Sequence, residues 1–286
     1  MSIPAKQVMD LRAATGMPMM KCKKALEAED GDFEKAIERL RKEGLESAEK
    51  RSGRSTGEGL VCARVAEGAH RGVLVAVACE TEPVARTPMF TEFVKRLAAQ
   101  VDEQGPEGVE ALLASPWIDE PGQSVENVLR GLIARIGENI RVRAIARLAV
   151  ESPGHVGAYV HFNGKIGAMV ALRVQSADAD LTDVAKELCM HVVFQKPTVL
   201  ERGEVAEDVQ AKEMEIFRAQ VQEDPKMANK PPQVVDKIVE GKMNAFFKQS
   251  VLTEQPWIRD DKKSVADVLK EHGATVKAFR LLQVGG

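Results

Sequence analysis

A duplicated segment constrains the fold of this chain more than any other feature of its sequence. The chain has 286 residues and two tryptophans, Trp117 and Trp257, which stand 140 residues apart. Chance is a poor explanation, because the residues around each tryptophan match at the same offset. The matching pairs are Pro116-Trp117-Ile118 with Pro256-Trp257-Ile258, Ser124-Val125 with Ser264-Val265, and Val128-Leu129 with Val268-Leu269. Self-similarity of this kind predicts two copies of one structural unit.

Each copy has the pattern of a hairpin, then helices, then a closing strand. Strand-like runs occupy residues 60–65 and 72–79 in the first copy and residues 157–162 and 167–174 in the second. The second pair turns at Asn163-Gly164, a dipeptide that favours tight hairpins. A further strand-like stretch ends each copy, at residues 140–150 and 275–284. These patterns predict an α+β fold with antiparallel sheets in two similar lobes, residues 59–150 and 151–286.

Residues 1–52 are predicted to form a separate module of three short helices. Apolar side chains recur there at helical spacing, and glycines or an acidic N-cap separate one helix from the next. The apolar positions are Val8 and Leu11, then Cys22, Ala25 and Leu26, then Phe33, Ala36, Ile37 and Leu40. The glycines and small polar side chains of residues 53–58 predict a flexible linker that leaves the module mobile.

The two copies differ in length at two places. The first has four extra residues within residues 80–86, directly before a helix that Thr87 and Pro88 should begin. The second carries about 49 additional residues, which we expect to form an antiparallel helical hairpin at about residues 204–249 with a turn at residues 224–232. Its apolar seam is predicted at heptad-like positions, Val205, Val209 and Ile216, then Val235, Val239 and Phe246.

Charge and hydropathy exclude several classes of function. Lysine and arginine number 40 against 43 acidic residues, a net charge of −3, so general binding to nucleic acid is not expected. The longest nearly apolar run, residues 72–79, is far too short to cross a bilayer. The N-terminal residues have the pattern of neither a signal peptide nor a transit helix, so we expect a cytoplasmic protein without a membrane partner. Four scattered cysteines without a C-x-x-C pair predict reduced thiols.

The sequence also lacks the usual signs of catalysis. No segment fits a phosphate-binding loop, so direct nucleotide binding is not expected. The five histidines have no close metal-ligand spacing, and no serine lies in a nucleophile elbow. We therefore expect no catalytic residue, no metal and no cofactor, in a protein that is not an enzyme. An uncharacterised α+β enzyme is a rival hypothesis, although it needs a convergent set of titratable groups.

Three positions suggest contacts with a partner protein. Met20 lies one helical step off the apolar stripe of its helix, beside lysines, so its side chain should be exposed. Residues 82–86 are the length excess of one lobe only, and binding residues concentrate on loops. His161 stands two residues before the hairpin turn, where an exposed tip can reach a partner. Each position has a plainer explanation: a surface methionine of no consequence, a neutral insertion, and an ordinary surface histidine.

Longer motifs follow one another along nearly the whole chain. They are LRAATGMPMMKCKKAL at residues 11–26, GDFEKAIERLRKEG at 31–44, GENIRVR at 137–143, MHVVFQKP at 190–197, VEGKM at 239–243 and QPWI at 255–258. In these motifs the chain resembles the elongation factor Ts family of bacterial translation. The resemblance implies a ubiquitin-associated-like three-helix module, two repeated core lobes, and a helical hairpin inserted in the second lobe.

The resemblance also implies a function, guanine nucleotide exchange in translation elongation. A family member would bind elongation factor Tu in its GDP-bound and nucleotide-free states and disturb the magnesium and phosphate site. GDP release would then allow GTP to bind. Contacts implied in the N-terminal module are Arg12, Met19, Met20 and Lys23, placed against the nucleotide-binding domain of the partner. His161 and Ile258 match further contacts in the second lobe, although the turn after His161 is one residue longer here.

The central loop departs from the family pattern. The family typically has Thr-Asp-Phe-Val there, with the aromatic ring wedged between helices of the GTPase near its magnesium site. This chain has Thr81, Glu82, Pro83 and Val84 instead. Glu82 keeps the charge, but Pro83 cannot supply the roughly 150–250 Å² that an aromatic ring buries. We hypothesise that Glu82 and Pro83 still enter that groove, with a weaker wedge or a changed partner.

The N-terminal module and the chain's assembly each leave a further hypothesis open. The module alone would also fit an adaptor of the ubiquitin-associated type without exchange activity, although this leaves the duplicated core unexplained. A dimer through the core or the helical hairpin is a possible assembly. Many relatives continue beyond the position of Gly286 into another helical segment, so contacts made by that segment are expected to be absent.

Overall fold

Three helices begin the chain, and the last of them is the longest. The computed structural model describes residues 3–174, 180–224 and 231–285. The helices are α1 Ala5–Thr15, α2 Met19–Ala28 and α3 Phe33–Arg51. Asp32 caps α3, because its side chain accepts a hydrogen bond from the backbone N–H of Lys35. Leu11, Leu26 and Leu40 are buried between the helices, as their periodicity predicts.

A three-stranded antiparallel sheet with helices on one face forms the first lobe. Thr87 caps its longest helix through the N–H of Phe90, and Pro88 takes the first helical position, as predicted. The elements are β1 Glu58–Val65, β2 Arg71–Cys79, α4 Glu82–Ala85, α5 Pro88–Gln104, α6 Val109–Ala114, β3 Pro116–Trp117, β4 Glu120–Ser124, α7 Val125–Ile136 and β5 Ile140–Ala149.

The second lobe repeats this plan. Its elements are β6 Gly154–Val160, β7 Ile166–Val174, α8 Thr182–Gln195, α9 Glu207–Glu223, α10 Pro232–Ser250, β8 Pro256–Trp257, β9 Asp260–Ser264, α11 Val265–Glu271 and β10 Ala274–Gln283. Each tryptophan begins a two-stranded ribbon that leads into a helix capped by a serine, Ser124 or Ser264. The predicted α+β fold with two repeated lobes is confirmed.

The two sheets pack face to face in the centre of the molecule. The strand orders are β1-β2-β5 and β10-β7-β6, with every pairing antiparallel. Leu74, Ala76 and Ala78 of the first sheet meet Met169 and Ala171 of the second. The opposite face of each sheet is covered by the helices of its own lobe. Because both faces of β2 are covered, eight of its nine residues are buried.

The inserted helical hairpin forms as predicted, but α9 uses a different face. Val239, a predicted seam residue, is buried in α10. On α9, however, Val209 is 41% exposed and Ile216 is 39% exposed, so their predicted seam positions are wrong. Phe217 and Val221 turn inward instead, because their four-residue spacing places both on one helical face. Most of the turn predicted at residues 224–232 lies outside the described residues.

The segment between the module and the first lobe is held by side chains of the lobe. Asn139 donates its side-chain N–H groups to the backbone carbonyl of Arg54 at 2.7 Å and to that of Ser52 at 3.4 Å. Arg143 donates to the hydroxyl of Thr56 at 3.0 Å. The glycines predict a free linker, whereas in the structure the buried Asn139 and the exposed Arg143 of the first lobe hold residues on both sides of Ser55.

Candidate partner-binding surface

The first predicted patch lies on the outer side of α1 and α2. Cys22 and Leu26 point into the module and fix the rotation of α2. Met20 is 60% exposed as predicted, and Met19 is 40% exposed. The exposed side chains of this patch are Met9, Arg12, Met19, Met20 and Lys23, of which Met9 was not predicted. The patch presents flexible thioethers among cations.

The second patch is the segment before α5, which forms one turn of helix, α4, where the sequence predicts a loop. Glu138 fixes the start of this turn: its carboxylate accepts the backbone N–H of Thr81 at 3.0 Å and the Thr81 hydroxyl at 2.6 Å. Val84 packs against the lobe core, which leaves Glu82 and Pro83 exposed. Of the four predicted residues, Thr81 is also exposed, and Glu82 and Pro83 are the two exposed residues within the turn itself.

Glu138 and its neighbour Asn139 connect this turn to the N-terminal module. The backbone N–H of Asn139 donates to Glu80 at 2.6 Å, and the Asn139 side chain holds the linker. Sequence reasoning singled out neither residue as part of a site. The sequence feature that could have pointed to Glu138 and Asn139 is their position inside the GENIRVR motif, residues 137–143.

The third patch is a groove in the second lobe that brings His161 and Ile258 together. This lobe-two groove, with a volume of about 620 Å³, lies between the end of α8 and the β6–β7 turn. The side chains that matter here are Tyr159, His161, Met190, Phe194 and Ile258. Phe194 is 72% exposed at the end of α8, and Ile258 is 39% exposed. The groove therefore offers apolar side chains to a partner around one histidine.

His161 is less exposed than the predicted tip position implies. Its Nδ1 lies 3.1 Å from the hydroxyl of Tyr159, and its ring lies against Phe162 with 4.4 Å between centroids. Phe162 is 91% exposed, so this ring, rather than the imidazole, is the outermost group of the hairpin. The Asn163-Gly164 turn forms as predicted, with Gly164 in the left-handed region at φ 72°.

Comparison with known proteins identifies the family. The family model described as "Elongation factor TS" matches residues 80–286. Curated relatives named Elongation factor Ts include that of Trichlorobacter lovleyi, 39% identical over all of this chain and 93% of its own length. That of Clostridium botulinum is 39% identical over 97% of this chain and 91% of its own length. That of Clostridium perfringens is 40% identical over 96% of this chain and 88% of its own length.

The chain belongs to the elongation factor Ts family. As a family member it has a role in translation elongation and protein biosynthesis. The match to the elongation factor Ts model begins at residue 80, so it spans the α4 turn and the lobe-two groove. The α1–α2 patch lies outside that match, but it lies inside the alignment with the Trichlorobacter lovleyi relative, which covers the whole chain.

Buried polar side chains give this elongation factor Ts member a fixed lobe-two groove. His191, on α8, stacks on Trp257 with 5.5 Å between ring centroids and lies 2.9 Å from the side-chain oxygen of Gln255. Gln255 in turn donates to the backbone carbonyl of Gln249 at 2.6 Å. Burial lowers the pKa of His191, so its imidazole is neutral at pH 7. These contacts hold Trp257, the residue directly before Ile258.

Burial keeps two of the four thiols of this family member protonated. All four cysteines are free. Burial raises the pKa of Cys79, beneath the α4 turn, and of Cys189 to about 12, so both remain protonated.

Within the described ranges, no group of three or more possible ligands is placed to hold a metal ion. In the same ranges, no helix is both long and apolar enough for a membrane span.

Proposed function

We propose that this protein is a cytoplasmic guanine nucleotide exchange factor for elongation factor Tu, which it binds in both the GDP-bound and the nucleotide-free state. One observation carries the proposal. Exposed side chains stand at all three places where the family resemblance implies contacts: Met19 and Met20, Glu82 and Pro83, and the groove with Ile258. Two fixed patches on the core and a third on the module suit a partner of several domains.

The α4 turn is the part that acts on the nucleotide site. Glu82 and Pro83 enter the GTPase groove near its magnesium, while the hydrogen bonds from Thr81 to Glu138 keep the turn from yielding. Binding at the other two patches supplies the free energy for this distortion. This protein prefers nucleotide-free elongation factor Tu. It therefore lowers the affinity of elongation factor Tu for GDP, and GDP lowers the affinity of elongation factor Tu for this protein by the same factor. No covalent step, catalytic residue or cofactor of this chain is required.

The proposal is tested by the release of a fluorescent GDP analogue from elongation factor Tu of the same organism, chased with excess GDP. We expect acceleration that saturates as the concentration of this protein rises. Ile258→Asp should raise the half-saturating concentration, since it places a charge in the apolar groove. Val65→Asp is the matched control, because Val65 is 38% exposed on the first lobe, away from the three patches. Release that the folded protein does not accelerate at any concentration would contradict the proposal.

A further inference from the structure

Among the residues that the structure describes, most of the exposed methionines lie together in the α1–α2 patch. Met9 and Met20 are each 60% exposed, and Met19 is 40% exposed. The other exposed methionine of the described ranges is Met214, on α9. Oxidants in solution react first with the sulfur atoms that solvent reaches. The patch therefore gathers the thioethers that are the most open to oxidation.

The remaining methionines of the described ranges are shielded by the fold. They are Met17, Met169 and Met243, which are buried, and Met89 and Met190, which are half-buried. Met17 stands only three residues before Met20, in the connection between α1 and α2, and is 7% exposed. Two thioethers of the same small module thus differ sharply in their access to solvent.

The cysteines are poor competitors for the same oxidant. Cys22, Cys79 and Cys189 are buried, and Cys62 is half-buried. The thiolate is the form of cysteine that reacts with peroxide. Burial raises the pKa of Cys62, so its thiol stays protonated at pH 7. Mild oxidation is therefore expected to reach the exposed methionines before the cysteines.

We propose that Met9, Met19 and Met20 form a site of reversible oxidation by hydroperoxides, which sets how tightly the α1–α2 patch holds its partner. The inference rests on the proposed function, in which this patch contacts elongation factor Tu. A sulfur lone pair attacks the terminal peroxide oxygen, the O–O bond breaks, and the rest of the peroxide leaves as water or an alcohol. The thioether loses two electrons and becomes a sulfoxide. Two thiol groups of a sulfoxide reductase restore the thioether, giving a disulfide and water.

Oxidation changes the patch from an apolar contact into a polar one. A sulfoxide oxygen is a strong hydrogen-bond acceptor, so burying it against an apolar surface without a donor is unfavourable. Lys23 and Lys24 follow Met20 by three and four residues, on the same side of α2, and both are exposed. Their ammonium groups can donate to the sulfoxide oxygen of Met20 in the free protein. Both effects favour the unbound state, so oxidation weakens binding.

Peptide mapping by mass spectrometry tests where oxidation occurs. The full-length protein is treated with hydrogen peroxide for increasing times, then with catalase and a thiol reductant that reverses disulfides but not sulfoxides. Met9, Met19 and Met20 should gain oxygen first, and Met17 much later. Equal rates for Met17 and Met20 would overturn the proposed site, whatever the partner is.

The release of a fluorescent GDP analogue from untreated elongation factor Tu tests the effect on binding. Oxidation of this protein should raise its half-saturating concentration about tenfold or more, and methionine sulfoxide reductases specific for both sulfoxide epimers should restore it. Failure of the unoxidised protein to accelerate release would contradict the proposed function itself. If the unoxidised protein does accelerate release, the same half-saturating concentration before and after oxidation would overturn only the control by methionine oxidation.

Leucine variants assign the effect to particular residues, with each variant compared with itself before and after peroxide. Leucine resembles methionine in size and cannot form a sulfoxide. In Met9→Leu/Met19→Leu/Met20→Leu, peroxide should change the half-saturating concentration less than about twofold. Met214→Leu is the matched control, because Met214 is exposed outside the patch, and this variant should lose as much affinity as the wild type. An equal loss in the triple variant would assign the effect to other residues and overturn the proposal.

Discussion

At the scale of single residues, two buried polar side chains hold the repeated tryptophan motifs by different chemistry. Gln100 donates to the Ser115 hydroxyl at 2.8 Å and accepts the backbone N–H of Ile118 at 3.1 Å. His191 occupies the matching place on α8 and contacts Gln255 and Trp257. Both side chains are fully buried. One position of the repeat therefore contacts the tryptophan motif in both lobes, although only one lobe uses a titratable group.

This difference predicts a pH dependence of stability. The imidazole of His191 donates from Nε2 to Gln255, and among the residues that the structure describes its buried Nδ1 has no hydrogen-bond partner. Protonation would therefore bury an N–H without an acceptor. Because burial lowers the pKa of His191, the unfolded chain binds more protons below about pH 6.5, and the folded state loses stability as the pH falls. The slope from this group reaches at most about 1.4 kcal/mol per pH unit. His191→Gln should reduce it.

Urea denaturation at several pH values between about 7 and 5 measures this slope. The control is His272→Gln, since His272 is an exposed histidine of the same lobe. An identical loss of stability with acid in the wild type and in His191→Gln would contradict the assignment.

The exposure of a side chain could be predicted from the sequence only where the periodicity of a single helix determines it. Met20 lies on the outer side of α2 because helical periodicity alone fixes that side. The exposure of Phe194 could not be predicted in this way, because Phe194 directly follows the buried residues Val192 and Val193 in sequence. Its side chain is exposed because α8 leaves the sheet at that point. Phe162 likewise depends on the conformation of the hairpin turn.

At the scale of elements, the difference from the family's typical Thr-Asp-Phe-Val sequence lies in α4. Glu82 and Pro83 project from a turn that Glu138 fixes, so a larger side chain at position 83 would be presented to the partner without refolding the turn. We expect Pro83→Phe to raise the maximal rate of GDP release, by about tenfold if the ring gains about 1.4 kcal/mol of contact. Pro83→Gly should lower it, since glycine adds flexibility and removes area.

Stopped-flow release of the fluorescent GDP analogue measures both variants. Pro121→Phe is the control, because Pro121 is an exposed proline of the same lobe in β4. Unchanged rates for Pro83→Phe and Pro83→Gly would show that the α4 turn is not the wedge.

The corrected face of α9 gives a second prediction at this scale. Val221 is 3% exposed toward α10, and Ile216 is 39% exposed on another side of the helix. Val221→Asp should destabilise the hairpin by about 2 kcal/mol or more, because the charge loses its water. Ile216→Asp should change the free energy of unfolding by no more than about 0.5 kcal/mol. Helicity followed by circular dichroism in urea separates the two, and equal effects would support the heptad positions instead.

At the scale of the whole molecule, the N-terminal module and the first lobe act as one packed body. Gly44 of α3 lies against Ala134 of α7 so closely that a Cβ on the glycine would lie 3.0 Å from the Ala134 side chain. Asn139 holds the linker that joins the two parts. This arrangement fixes the α1–α2 patch relative to the α4 turn. Patches held in this way reach a partner without ordering a mobile linker.

Limited proteolysis of the linker tests whether it is held against the first lobe. Asn139→Ala removes the donors to Ser52 and Arg54, and should accelerate tryptic cleavage after Arg51 and Arg54 several-fold while costing about 1–3 kcal/mol of stability. Asn127→Ala is the control, since Asn127 is exposed on α7. Equal cleavage in the two variants would mean that Asn139 does not restrain the linker.

The overall plan was largely predictable because the repeat specifies it twice. The apolar run at residues 72–79 predicts a strand, and the structure shows that strand, β2, to be covered on both faces. That the second covering layer is the other lobe's sheet did not follow, because inner residues such as Ala76 and Ala171 are small and carry no pairing signal. The lobe-two groove could not be predicted either, because it depends on how α8, β10 and the β6–β7 turn meet in the folded molecule.

The most direct test of the exchange function is a thermodynamic cycle on elongation factor Tu. The affinity of elongation factor Tu for GDP is measured with and without saturating amounts of this protein, and the affinity for this protein is measured with and without saturating GDP. We expect GDP and this protein to weaken each other's binding to elongation factor Tu by the same factor, about tenfold or more. A complex in which GDP binds as tightly as to elongation factor Tu alone would show that this protein binds without exchanging nucleotide.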